Sequence, residues 1–208
     1  MNREEKRLSN PFQLQKLILA SSSPRRAEIL TVVGWPFETR VGGIDETVEK
    51  GEDPTDYVKR LALGKATEVA RNFRTATVLG ADTTVVVDGD ILGQPDDDAD
   101  ARRMLRSLSG RWHEVLTGVA LLSVENQKSV VSHEKTRVRF AEMSSQEIDW
   151  YVATGEPRGK AGAYGVQGKA ALFIKEIQGD YFNIVGLPVR LVYELMTDLL
   201  ASQSSLKE

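Results

Sequence analysis

The sequence predicts an α/β protein, with a mixed, twisted sheet flanked by helices and two lobes around a central cleft. Three observations predict it. Strand-like and helix-like stretches alternate along the chain, and two long strand-like stretches follow one another directly. The composition, 41% hydrophobic and 27% charged, is that of a folded globular protein. A chain of 208 residues is long enough for one domain with a sizeable core. That domain is expected over residues 13–201, with 1–12 and 202–208 as flexible tails.

Each element has a local reason. The run KLILA, Lys16 to Ala20, is a short buried strand. Ser21-Ser22-Ser23-Pro24 follows, and Pro in a first turn after Ser is a helix start, so a helix is expected through to Gly34. Phe37 to Val41 reads as a second strand and leads into a loop carrying Asp45 and Glu46. Pro54 to Phe73 has helical periodicity. Thr75 to Ala81 reads as a buried strand; Thr83 to Asp88 and Ile91 to Gly93 flank Gly89 as a hairpin.

Asp97 to Leu108 is amphipathic, with Ala101, Met104, Leu105 and Leu108 on one stripe. Its Asp96-Asp97-Asp98 start complements the helix dipole, and Arg102, Arg103 and Arg106 form the solvated face. Trp112 to Val124 and Ser129 to Phe140 are the two long strands. Ser144 to Thr154 is a helix, Gly155 to Gly168 a Gly-rich stretch, Ala171 to Ile177 a strand, and Pro188 opens the last helix.

Composition excludes several kinds of chemistry. Lys plus Arg number 27 against 30 Asp plus Glu, a net charge of -3, which does not suit a protein that coats nucleic acid. With no Cys, disulfide scaffolds, thiol nucleophiles and thiolate zinc sites are all out. Only His113 and His133 are present, so a three-histidine metal centre is out too, and any metal is a hard cation on oxygen ligands. The first apolar run, Leu17 to Ala20, is far short of a signal-peptide core or a membrane helix, so a cytoplasmic protein without membrane contact is expected.

Lys65 is the most informative single residue. At about 100° per residue, Val58, Leu61, Ala62, Val69 and Phe73 share one arc of their helix, and Lys65 lies in the middle of it. An inward Lys is paired, snorkelled or reaching an anion, and periodicity leaves the choice open. Arg26 falls inside the stripe of Ala27, Leu30 and Val33 in the same way. Asp82 follows a buried strand, where ligands of open α/β sheets gather; it is a candidate base or metal ligand, or a strand-ending turn residue. The stretch GEPRGKAGAYGVQG offers close backbone approach to phosphate together with Lys160 and Gln167, yet fits neither a Walker loop nor a dinucleotide fingerprint.

Taken in order, these segments resemble the Maf family of nucleoside triphosphate pyrophosphatases. The resemblance is carried by Leu19-Ala20-Ser21-Ser22-Ser23-Pro24-Arg25-Arg26, Asp45-Glu46, Leu61-Ala62 with Lys65-Ala66, and Gly80-Ala81-Asp82-Thr83. It continues through Ser109-Gly110, Thr117-Gly118-Val119, Gly155-Glu156-Pro157, the block from Lys160 to Gly168, and Gly186-Leu187-Pro188, nearly the whole chain. The likeness implies a fold shared with inosine triphosphate pyrophosphatases, a homodimer, and divalent-metal-dependent (Mg²⁺ or Mn²⁺) cleavage of a nucleoside triphosphate to monophosphate and pyrophosphate.

Carried over by position, Asp82 is the proton acceptor, and Arg25, Thr83 and Gln167 match positions tied to base choice. The combination is similar to the subgroup acting on dTTP and UTP. One departure stands out: Gly93-Gln94-Pro95 occupies a place where the family often has Gly-Lys-Pro, so a cation is missing there.

On this reading Ser21, Arg25, Arg26, Thr83, Lys160 and Gln167 bind substrate, Asp82 and Lys65 are catalytic, and Glu46 with Asp82 holds the metal. Two other functions stay open: a pyrophosphatase for non-standard purine triphosphates, and a nucleotide-binding regulator of septum formation with little turnover.

Overall fold

The computed structural model describes residues 14–204. The proposed first tail, 1–12, and the end of the second, 205–208, lie outside those residues. Strand β1 (Leu17–Ala20) leads into helix α1 (Pro24–Val32), β2 (Phe37–Arg40) and helix α2 (Pro54–Ala70). Next come β3 (Thr77–Val87), β4 (Asp90–Leu92), α3 (Asp98–Leu108), and the long pair β5 (Trp112–Ser123) and β6 (Lys128–Phe140). Helix α4 (Ser145–Ala153), two 3₁₀ turns (Ala161–Ala163 and Lys169–Leu172), β7 (Ile174–Gln178), α5 (Tyr181–Val185) and α6 (Val189–Ser204) complete the fold. Helix α6 thus continues past residue 201, where the domain was expected to end.

Among the described residues seven strands form one mixed sheet ordered β2-β1-β3-β5-β6-β7, with β4 paired to β3. β1 is parallel to β2 and to β3; every other pairing is antiparallel. Because side chains alternate across a strand, the two faces acquire different cores. Leu17, Leu19, Leu79, Ala81, Val119 and Leu121 pack into the larger one, with residues of α1, α3, α4 and α6. Ile18, Ala20, Val78 and Ala120 face the other way and are covered by α2.

Helix α2 begins where the sequence says it should. Asp53 caps it by accepting from the Thr55 amide at 2.8 Å, with Pro54 in its first turn. It then lies unusually close to the sheet. A Cβ on Gly80 would stand 2.0 Å from the Ala62 carbonyl oxygen, and one on Gly118 would stand 2.1 Å from that of Val58. These two glycines sit on β3 and β5 beneath the helix, and only a missing side chain admits the backbone at that distance.

The structure corrects two boundaries. Thr75–Ala81 and Thr83–Asp88 are not two segments meeting at Asp82 but a single strand, β3, with Asp82 near its middle. The pairing explains the misreading. β1 accompanies β3 only from Thr77 to Gly80, and β4 only from Val85 to Val87. From Asp82 to Thr84 one side of β3 has no neighbouring strand. Asp82 therefore does lie just past the carboxyl end of the parallel ladder, although its own strand runs on because β5 pairs with it throughout. The second correction is Ala171–Leu172, which belongs to a 3₁₀ turn, so β7 starts only at Ile174.

Close seating of α2 yields a stability test. Gly118→Ala should cost at least about 2 kcal/mol by overpacking, read as a lowered urea midpoint. Gly43→Ala, with nothing within 4 Å of the new methyl, should stay within about 0.5 kcal/mol of the parent.

Candidate active site

The gap in the sheet beside Asp82–Thr84 opens into a cavity of about 780 Å³. Ser21, Arg25, Arg26, Glu46, Lys65, Asp82, Thr83, Lys160 and Gln167 all line it, and so does Gln94. Residues spread over most of the chain length converge because the chain leaves β1 at Ala20 and turns through Ser21–Ser23 into α1 beside the opening. The Gly155–Gly168 stretch closes in from another side.

Asp82 and Thr83, adjacent in sequence, point to opposite faces of β3, and each organises its own polar cluster. On the α2 face, Lys65 Nζ lies 2.6 Å from Asp82 Oδ1 and 2.9 Å from Glu46 Oε1. Lys65 is thus paired, and paired inside the cavity. Asp82 is buried, and its pKa is raised. Loss of hydration pushes it up; the charges of Lys65 and Arg26 and the Lys65 hydrogen bond pull down, and Glu46 adds to the rise. Glu46 and Asp45 part company: Glu46 reaches the cavity, whereas Asp45 accepts from the Thr47 amide at 2.9 Å in a local turn. The Tyr57 hydroxyl donates to the Glu46 carbonyl at 3.1 Å and steadies that loop.

On the other face Arg26 is buried and held at three points. Nε donates to the Gly186 carbonyl at 2.8 Å, Nη1 to Ser21 Oγ at 3.0 Å and Nη2 to Thr83 Oγ1 at 3.1 Å. Burial lowers the Arg26 pKa, with Asp82 and Glu46 opposing and Arg25 adding to the fall; a guanidinium does not give up its proton in a protein, so it serves here as a fixed cation. Behind it, Thr83 Oγ1 lies 2.9 Å from Thr117 Oγ1, which donates to the Asn183 carbonyl at 3.1 Å. Asn183 in turn donates to the Val115 carbonyl and to Thr136 Oγ1, both at 3.0 Å. This chain of bonds locks Arg26 in one orientation.

Asn183 and the short helix α5 went unnoticed in the sequence. The only signal was a single Asn set between Phe182 and Ile184 in an otherwise apolar stretch. Such a residue is buried only if its amide is bonded.

The Gly-rich stretch brings Lys160, whose ammonium donates to the Glu156 carbonyl; burial and the nearby Arg25 charge lower its pKa, while Glu156 partly restores it. Gln167 is exposed at the cavity rim. Tyr164 beneath it meets His113 Nε2 through its hydroxyl at 2.7 Å. Burial pushes His113 down to about 4, so it is neutral at pH 7 and acts as packing under the loop rather than as a proton carrier.

Four cations and a buried carboxylate converging on one cavity, at the carboxyl ends of parallel strands, define a small-molecule site suited to a polyanion. The chain belongs to the Maf family: the model of Maf-like proteins matches residues 16–199. A dTTP/UTP pyrophosphatase of Symbiobacterium thermophilum is 54% identical over 184 residues, 88% of this chain and 94% of the relative. A dTTP/UTP pyrophosphatase of Bacillus cytotoxicus is 52% identical over 183 residues, 88% of this chain and 95% of the relative. In fold, the chain is similar to the Ham1 protein of Staphylococcus aureus at TM-score 0.53 and 13% identity, covering 88% of this chain and 99% of that one. A HAM1 protein of Coxiella burnetii matches at TM-score 0.51 and 17% identity over the same shares. Among the described residues no helix is long and apolar enough to cross a membrane.

The balance at Asp82 can be measured directly. Carboxyl-carbon NMR should place its titration midpoint above the ordinary aspartate value. Removing the Lys65 charge deletes the largest opposing influence, so Lys65→Met should move the midpoint further up; a downward move would contradict the assigned balance.

Proposed function

We propose that this protein hydrolyses dTTP and UTP to the nucleoside monophosphate and pyrophosphate. The observation that carries the reading is the single cavity in which Arg25, Arg26, Lys65 and Lys160 surround the buried Asp82. Relatives at 54% and 52% identity named for this activity support it.

The residues divide the work by chemistry. Arg26, oriented by Ser21, Thr83 and the Gly186 carbonyl, presents its remaining N–H groups to phosphate oxygens. The first turn of α1, beside the cavity, adds backbone N–H groups without intrahelical acceptors. Lys160 takes further negative charge along the polyphosphate, and Arg25 stands with Thr83 and Gln167 at the positions tied to base choice. Asp82 accepts the proton of the water that attacks the α-phosphorus, and the bond to the pyrophosphate oxygen breaks as the new P–O bond forms. A carboxylate of raised pKa is a better proton acceptor than an ordinary aspartate. Lys65 orients Asp82 and keeps it ionised.

The donor set also fits a divalent cation. No group of three acidic or histidine side chains able to hold a metal exists among the described residues. Glu46 and Asp82 alone, however, converge on one point, now spanned by the Lys65 ammonium. Mg²⁺ is commonly held by one or two carboxylates together with substrate phosphates and water, so Glu46 and Asp82 would hold it with the triphosphate completing the shell. When bound, such an ion offsets phosphate charge and acidifies water.

Gln167 supplies base recognition. Its amide offers an acceptor and donors, matching the N3–H and O4 edge of uracil or thymine.

A panel of canonical and modified pyrimidine and purine triphosphates, with and without Mg²⁺ or Mn²⁺, tests the proposal. The expected products are monophosphate and pyrophosphate from dTTP and UTP; orthophosphate, or preference for inosine or xanthosine triphosphate, would overturn it. Asp82→Asn should remain folded and lose about 10²–10³ in kcat. In Gln167→Ala, selectivity for dTTP and UTP over CTP and GTP should narrow while pyrophosphate affinity holds.

A further inference from the structure

Glu156 has no role in the scheme above, yet it is bonded more fully than any other carboxylate lining the cavity. Its Oε1 accepts from the Tyr151 hydroxyl at 3.1 Å and from the Ala170 amide at 3.4 Å; its Oε2 accepts from the Lys169 amide at 3.0 Å. Its own amide donates to Thr154 Oγ1 at 3.2 Å, and its carbonyl receives the Lys160 ammonium. Burial opposes the charge, but the two amides, the Tyr151 hydroxyl and Lys160 together hold the carboxyl below its ordinary value, so it is ionised and acceptor-only. With its oxygens engaged in this way, it is poorly placed to serve as a base.

These bonds fall at two points, one within the Gly-rich stretch and one just past its end. The carbonyl fixes Lys160 near the start, and the carboxylate fixes Lys169 and Ala170 just past Gln167. Tyr151, fully buried on α4, anchors the carboxylate to the body of the protein. We propose that Glu156 is a positioning residue, setting the separation between the phosphate-binding Lys160 and the base-reading Gln167. The proposal rests on the pyrophosphatase reading and adds to it how the two ends of the nucleotide are held in register.

Gly168 provides an independent handle. Its φ of −170° is extended backbone that any residue adopts. A Cβ there would nevertheless stand 2.4 Å from Glu156 Oε1, 2.7 Å from Cδ and 2.9 Å from Oε2, and meets no other residue as closely. The glycine leaves room for this one carboxylate, so Gly168→Ala displaces Glu156 without altering it.

The experiment measures kcat and KM for dTTP and UTP, selectivity against CTP and GTP, and thermal midpoint in four variants beside the unmutated protein: Glu156→Ala, Glu156→Gln, Gly168→Ala and the double alanine variant. Glu156→Ala and Gly168→Ala should each raise KM roughly tenfold, with kcat within about threefold and narrowed selectivity. The double variant should be no worse than either single one, because both remove the same contact. Glu156→Gln, isosteric, keeps one acceptor oxygen but sets its NH2 against one backbone N–H, so it should recover only part of the affinity and fall between Glu156→Ala and the unmutated protein, and it keeps the comparison readable should Glu156→Ala not fold. Unchanged KM and selectivity with only a lowered thermal midpoint would overturn the proposal, as would additive losses in the double variant. Failure of the unmutated protein to release pyrophosphate from any triphosphate would instead sink the pyrophosphatase reading, and this inference with it.

Discussion

The contact between Lys65 and Asp82 depends on how closely α2 lies on the sheet. Ala62 and Val58 of that helix rest their carbonyls over Gly80 and Gly118, where any side chain would meet backbone oxygen. Lys65 follows Ala62 by three residues on the same stripe, and Asp82 follows Gly80 by two on the same face of β3. The separation of helix and strand therefore sets the 2.6 Å approach of the two charges. Were the helix lifted by the thickness of a methyl group, Asp82 would lose its principal counter-charge while remaining buried, the costly arrangement for a carboxylate.

The gap in the sheet is the second constraint. A strand paired on both sides presents its two faces to separate compartments. Between the end of β1 and the start of β4, β3 has a partner on one side only. Asp82 with Lys65 on one face and Thr83 with Arg26 on the other thereby meet in one cavity. Each face contributes a differently supported cation. Lys65 is paired directly with carboxylates, whereas Arg26 is hydrogen-bonded to neutral oxygens of Ser21, Thr83 and Gly186 and feels Asp82 and Glu46 only through space. A polyanion meets the second kind of group most strongly, because no paired carboxylate has to be displaced.

Much of this was legible in the chain itself. Helix periodicity put Lys65 and Arg26 inside apolar stripes, and both are buried or nearly so beside the cavity. The Ser-Pro start of α1, the two long antiparallel strands and the acidic start of α3 are local signals, and each appears where its residues place it. The misreading at Asp82 also has a local cause. A carboxylate within an apolar run looks like the end of a strand, and pairing with β5 across the interruption is a long-range fact that no window along the sequence contains. Asn183 escaped for the same reason, since its bonding partners Val115 and Thr136 lie on two other strands. The bonding of Glu156 escaped because a carboxylate beside Gly and Pro reads as an ordinary surface turn, whereas its partners Tyr151, Lys169 and Ala170 lie on other segments.

Sequence by itself determined most of the segments that are helix or strand, which faces are apolar, and which few charged residues are set against that pattern. It did so because periodicity and capping act over a handful of neighbouring residues. Only the tertiary structure decided that those charges share one cavity, that Asp82 is raised in pKa while Arg26 is locked by three acceptors, and that Glu156 meets Lys160 through its carbonyl and Lys169 and Ala170 through its carboxylate. These outcomes depend on distances between segments far apart in the chain and on the water excluded when they pack, and neither quantity is written in local order.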